Sequence, residues 1–303
     1  MTVYEIITQR IIEKLEAGTI PWRKPWKGGA DGVPRNLKSG RPYRGINVFL
    51  LAMAGYSSPN WLTFRQAKLL GGSVRKGEKG YPVVFWKWPE GSRSEVESGK
   101  SDHSGTQHPE PLTYNPQDGA PEEPRGRGPI LRYYTVFNLS QCDGIDDPSA
   151  EDLDVIAFTP IAQCEAIVRN MPTPPRITHR QQRAYYQPST DEINLPMKNS
   201  FASPQEYYAT LFHELTHATG HASRLDRSGI TDPVLFGSHD YSREELVAEM
   251  GAAFLCGETG IENATLDSSA AYVAGWLKRL RGDAKLVITA AAQAQKAVDY
   301  VLG

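Results

Sequence analysis

Residues 211–221 read LFHELTHATGH, and within them His213, Glu214 and His217 form the pattern H-E-x-x-H. Polar and apolar residues alternate here at helical spacing, which places His213 and His217 one turn apart on a single face. Two imidazoles so placed converge on one metal ion, and the intervening Glu214 is free to hold a water and move its proton. The plainer alternative is two ordinary histidines on a core or surface helix.

A catalytic metal site needs a third protein ligand and an open position. Thirty residues downstream, SREELVAEMGAAFLC (242–256) offers Glu244, Glu245 and Glu249 in an apolar helix. Glu245 and Glu249 stand at i, i+4 and share a face with Ala252 and Ala253, so that face is expected to point inward. A carboxylate facing a core must be paired or bound to a cation, because burying it alone is very costly. The spacing E-x-x-x-E resembles the glutamate helix of gluzincin-type peptidases. That resemblance implies Glu245 as metal ligand and Glu249 as support for a ligand histidine, with the reverse assignment left open. His221 lies past Gly220, which is expected to end the helix, and is an alternative ligand or a surface residue. His239 and Tyr241 precede the glutamate helix and are candidate donors to a developing oxyanion. Zinc suits two histidines and a carboxylate, and manganese or another divalent ion suits them too.

The other half of the chain has a different chemistry. Residues 1–88 hold 15 Lys and Arg against 5 Asp and Glu, a net of +10, whereas the whole chain of 303 residues is at -2. Such asymmetry predicts two domains with different partners. Trp22, Arg23, Lys24, Trp26 and Lys27 share one loop and Arg41, Tyr43 and Arg44 another. Trp61, Phe64, Arg65 and Lys68 are expected on a helix, and Arg75, Lys76 and Lys79 follow in VRKGEKG (74–80). Cations interleaved with rings suit a single nucleic-acid strand, whose phosphates need neutralising and whose bases stack. The plainer alternative is tryptophans in a core and cations on a solvated surface.

Periodicity predicts helices over 3–17, 45–54, 63–71, 160–170, 203–220, 242–257, 268–281 and 283–301. It predicts strands at YPVVFWKW (81–88), ILRYYTVFNL (130–139), RAYYQP (183–188) and EINLP (192–196). Residues 89–129, rich in Pro, Gly, Ser and acids, read as a mobile insertion within the first domain. The acidic stretch DGIDDPSAEDLD (143–154) marks the joint between a domain over 1–145 and one over 150–303. Cys142, Cys164 and Cys256 lack metal-site spacing and read as reduced thiols. The N-terminus MTVYEIITQRIIEKLEAG (1–18) is amphipathic, unlike a signal peptide, and no apolar run is long enough to span a membrane, so the expected location is the cytoplasm.

Several segments together resemble the ArdC-type antirestriction proteins of conjugative plasmids. They are IPWRKPW (20–26), GRPYRGINVFLL (40–51), WLTFRQAKLLGGSVRKGEKG (61–80) and YTVFNLSQCDGI (134–145), then FHELTHATGHASRL (212–225) and REELVAEMGAAFLC (243–256). The resemblance implies an α+β protein: an N-terminal α+β domain that binds single-stranded DNA, then a mainly helical zincin-like metallopeptidase domain with a small β-sheet. It implies protection of incoming plasmid DNA, with DNA-associated host proteins as candidate substrates and His213, Glu214 and His217 at the metal site. A non-enzymatic shield for single-stranded DNA, its metal site structural or vestigial, is the rival reading. A metal-dependent nuclease fits less well, since nucleases gather carboxylates about two hard cations.

Overall fold

The protein, seen in a computed structural model, is described over residues 1–22, 32–56, 58–87, 129–148, 160–231, 239–261 and 270–303. The first helix, α1 (Val3–Glu16), opens on a capping box in which Thr2 and Glu5 satisfy each other's backbone N–H groups. It buries Ile7, Ile11, Ile12 and Leu15 along one stripe.

A four-stranded sheet follows. Its strands are β1 (Arg35–Asn36), β2 (Asn60–Leu62), β4 (Tyr81–Lys87) and β5 (Ile130–Asn138), in the order β1-β2-β5-β4. Helix α2 (Ile46–Ala52) packs beside it, and α3 (Phe64–Leu69) starts at a second capping box, Thr63 with Gln66. The short strands β3 (Ser73–Val74) and β6 (Cys142–Asp143) form a separate two-stranded ribbon. β4 and β5 pair antiparallel along the whole of β4, so the chain between them leaves and re-enters one hairpin. The expected insertion 89–129 lies, apart from residue 129, outside the described residues.

The second half contains α4 (Pro160–Asn170) and a three-stranded sheet of β7 (Arg176–Thr178), β8 (Tyr185–Gln187) and β9 (Glu192–Asn194). Its order is β7-β9-β8, with β7 parallel and β8 antiparallel to β9, which leaves β8 on an edge. The helices α5 (Pro204–Ala218), α6 (Ser228–Thr231), α7 (His239–Thr259), α8 (Ala270–Gly282) and α9 (Leu286–Leu302) complete it.

α7 is the central helix. Leu246, Val247, Ala248, Met250 and the run from Ala252 to Cys256 are all buried, as expected for a helix enclosed on every side. The hydrophobic core is continuous across the two halves: Phe49 of α2 stacks on Phe254 of α7 with ring centroids 4.8 Å apart. α1 likewise packs on α8 and α9. No helix among the described residues is long and apolar enough to cross a membrane.

Two placements differ from the sequence reading. Trp61 lies in β2 and not on a helix; it is 2% exposed and packs edge-on against Tyr56 and Tyr81. Trp22 is fully buried. Neither indole is therefore a platform for a base, because both rings are already used as core.

Candidate metal centre

α5 starts at Ser203, whose hydroxyl accepts the N–H of Glu206, with Pro204 at the first helical position. One turn before its end, the Nε2 atoms of His213 and His217 stand 3.1 Å apart. α7 crosses α5 closely, and Gly251 makes this approach possible: a Cβ there would lie 2.5 Å from the side chain of Thr216. The contact brings Glu245 to the histidine pair. Its carboxylate oxygens lie 3.7 Å from His213 Nε2 and 3.7 Å from His217 Nε2.

These three residues form the one His, Cys, Asp and Glu cluster among the described residues that could hold a metal ion. Atoms bound about 2.0–2.1 Å from a tetrahedral ion stand roughly 3.3 Å apart, so the observed separations fit one ion with little rearrangement. Two nitrogens and a carboxylate also match the donor set of a site that keeps one position open. The side chains of His213 and Glu245 retain 23% and 30% exposure, which leaves the cluster accessible from one side.

A layer of hydrogen bonds supports the cluster from behind. Glu244 Oε1 lies 3.3 Å from His217 Nδ1, and the guanidinium of Arg227 grips the same carboxylate through Nη2 at 2.6 Å and Nε at 3.1 Å. Arg227 in turn donates to the Thr219 hydroxyl and the Thr216 carbonyl on the last turn of α5. Burial would raise the Glu244 carboxyl, but the bonds from His217 and Arg227 hold it below its ordinary range. The gluzincin-like spacing predicts Glu249 in this supporting place. In the structure Glu249 turns the other way, accepting hydrogen bonds from Trp22 and Tyr272, and touches no ligand histidine.

Burial and the neighbouring His217 push the His213 imidazole down to about 3. Burial also opposes charge on His217, yet the Glu244 hydrogen bond and the nearby carboxylates outweigh it and raise this group to about 9. Without a cation the pair therefore carries one positive charge among the surrounding acids, and an ion binding there would displace that proton. Glu214 is 7% exposed, and burial lifts its carboxyl to about 7, opposed by His217 and a backbone N–H from Tyr186. That value suits a group that both accepts and returns a proton near neutral pH.

The contact with Tyr186 places the edge strand β8 beside Glu214. The strand is pinned by Arg224, whose guanidinium binds both Asp191 carboxylate oxygens and the Tyr186 hydroxyl. His221 stands beyond the end of α5, bonded through Nδ1 to the Ser223 hydroxyl, and is outside the cluster. His239 and Tyr241 begin α7, but their side chains lie outside the described residues.

The basic half is distributed more widely. Arg23, Lys24, Trp26 and Lys27 lie outside the described residues. Tyr43 is buried, so its ring joins the core. Arg65 and Lys68 are exposed on α3, where the Lys68 ammonium sits 5.0 Å above the ring of Phe64. Arg75 pairs with Glu78 and Asp143, while Lys76 and Lys79 are exposed. Arg41 and Arg44 flank Tyr43 ahead of α2, and Arg44 pairs with Asp299 of α9. Phe64 and Tyr133, each 48% exposed, are the large exposed rings among the described residues. Only position-specific burial separates them from Trp22 and Trp61.

Two family models match the chain: the N-terminal domain of the anti-restriction factor ArdC over residues 1–137, and a zincin-like metallopeptidase over residues 162–293. The metal-free crystal structure of the antirestriction ArdC protein from plasmid R388 aligns with a TM-score of 0.71 at 39% identity, covering 99% of this chain and 97% of that one. The chain belongs to the ArdC antirestriction family. A Mn(II)-bound structure of the same ArdC protein aligns with the same TM-score at 38% identity. An uncharacterized protein, y4eC, of Sinorhizobium fredii (strain NBRC 101917 / NGR234) is 35% identical over 307 residues, covering 99% of this chain and 91% of its own length. Two DNA primase TraC proteins of Escherichia coli are 40% and 39% identical over 99% of this chain, which spans only 20% and 27% of their lengths. The ArdC relationship therefore covers the whole chain, and the primase relationship concerns one portion of a longer protein.

Proposed function

We propose that this chain is an antirestriction protein that binds single-stranded DNA through its basic half and hydrolyses peptide bonds at a divalent metal centre. Its biological role would be to protect plasmid DNA entering a cell by conjugation, acting in the cytoplasm. The observation that carries the enzymatic part is the convergence of His213, His217 and Glu245 beside the buried Glu214, whose carboxyl burial raises above its ordinary range. A purely structural site has no use for such a carboxyl.

His213, His217 and Glu245 would hold zinc or manganese. A divalent ion there supplies a water of lowered pKa and polarises a carbonyl. Glu214 accepts the proton of the attacking water and passes it to the leaving amine nitrogen. Glu244 and Arg227 fix the His217 ring, so its Nε2 presents toward the cluster. β8, on the edge of its sheet and beside Glu214, offers main-chain groups to an extended peptide. For the DNA part, exposed cations at Arg65, Lys68, Lys76 and Lys79 and the exposed ring of Phe64 support a strand held by phosphate contacts and stacking.

The test is cleavage of DNA-associated proteins with and without single-stranded DNA, comparing the wild type with Glu214→Ala. Cleavage that disappears in the variant while metal content is retained is the expected result. Cleavage by neither protein would favour a DNA shield without peptidase activity, and equal cleavage by both would dismiss Glu214 as the proton carrier.

A further inference from the structure

A cleft of about 380 Å³ separates the edge of the N-terminal sheet from α9. Phe85, Trp86 and Tyr134 line it from the β4–β5 hairpin, and the Phe85 and Tyr134 rings are 5.7 Å apart. The turn before α2 contributes Arg41, Tyr43 and Arg44, and α9 contributes Ala292, Gln293 and Lys296.

The walls are built firmly. Gln295 of α9 accepts the Gly45 N–H at 3.1 Å and donates to Asp299, which pairs with Arg44. Asn47 satisfies both the N–H and the carbonyl of Val84 on the exposed edge of β4. Tyr43 is 8% exposed, with Asn36 and Tyr134 beside its hydroxyl.

Arg41, Arg44 and Lys296 bring cations to the lining, where Asp299 pairs with Arg44. The rings favour something flat, and the volume falls at the lower end of the roughly 300–1,000 Å³ typical of small-molecule sites. We propose that this cleft takes one nucleotide unit of a DNA single strand, its base against the rings and its phosphate on the cations. The inference rests on the single-strand reading above and adds that α9, a helix of the metallopeptidase half, forms one wall of the DNA site. Because α9 packs along α7, which carries Glu245, the strand would lie one helix away from the metal centre.

The experiment is fluorescence anisotropy with a labelled oligothymidylate, using the full chain and three α9 variants. Lys296→Glu is expected to weaken binding about tenfold and to reduce the salt slope by about 0.7, the contribution of one phosphate contact on a single strand. Ala292→Trp, which fills the cleft, is expected to weaken binding similarly. Gln293→Lys adds a cation to the wall and is expected to tighten binding, which guards against a loss caused by misfolding. Photocrosslinking from 5-iododeoxyuridine in the strand is expected at Phe85, Trp86 or Tyr134. Wild-type affinity and slope in all three variants would overturn the proposal, as would crosslinks confined to other regions. Binding of dTMP as tight as that of the strand would also overturn it, marking a site for free nucleotides. A wild type that binds no single strand would sink the DNA reading as well, whereas a wild type that binds through unaffected variants would sink the cleft alone.

Discussion

The indole N–H of Trp22 donates to the carboxylate of Glu249 across 2.8 Å, joining positions 227 residues apart. Trp22 directly precedes the basic segment 23–31 of the sequence, and Glu249 lies one helical turn beyond Glu245. The bond therefore ties the N-terminal half to the helix that carries the third candidate ligand. Trp22→Phe removes a donor from a buried acid that also accepts a hydrogen bond from Tyr272. A loss of roughly 2–4 kcal/mol is expected from the missing hydrogen bond and the smaller ring. Urea denaturation measures it, and the loss should be larger at pH 8, where Glu249 is ionised, than at pH 5.

Burial is the main cause that raises the Glu249 carboxyl to about 7, opposed by its bonds to Tyr272 and Trp22. The folded value exceeds the ordinary 4.5 of the unfolded chain, so the folded state holds the extra proton between these values. Its contribution to stability is fully present below about 4.5 and is lost as pH rises through about 7, on the order of 3 kcal/mol in total. Glu249→Gln should flatten this part of the pH profile, measured by denaturation from pH 4.5 to 8 in the presence of a chelator. An unchanged profile in the variant would assign the pH dependence to another group.

Gly251 sets the distance between the two helices of the metal centre. Gly251→Ala places a Cβ against Thr216, and the helices must part to admit it. Overpacking of this kind costs about 1–3 kcal/mol. Because His217 and Glu245 sit on opposite sides of this contact, metal affinity should fall together with the melting temperature. Titration with Mn²⁺ alongside thermal melting checks both effects.

Glu244→Gln and Arg227→Met leave all three candidate ligands in place but remove the groups that orient His217. A tenfold to hundredfold loss of metal affinity is expected, the usual effect of removing such outer partners. Competition with a chromogenic chelator reads the loss directly. By contrast, Glu249→Gln should change affinity far less, since Glu249 touches no ligand histidine.

The metal helix was readable from sequence because its evidence is local: a four-residue spacing of histidines requires only helical geometry. An acid in an apolar stretch needs a partner, which marks Glu244, Glu245 and Glu249 alike; Glu245 stands out as a ligand only through the gluzincin-like E-x-x-x-E spacing. The division of labour between Glu244 and Glu249 was not readable. It depends on Arg227 reaching Glu244 from a loop and on Trp22 reaching Glu249 from the other half of the chain, contacts that no periodicity encodes. Trp22 and Trp61 fail as DNA markers on related grounds. An indole beside arginines has the same local sequence whether it stacks on a base or fills a core, and Trp22 and Trp61 fill the core. The parallel pairing of β7 with β9 escaped notice because three residues give no period long enough to read.

Metal binding at equilibrium tests the central claim most directly. Purified protein stripped with chelator is titrated with Zn²⁺ and Mn²⁺ by calorimetry, beside His213→Ala, His217→Ala and Glu245→Ala. One ion per wild-type chain, with affinity reduced at least a hundredfold in every variant, is the predicted result. Wild-type stoichiometry and affinity in the three variants, or no binding of either ion by the wild type, would contradict the metal centre described above.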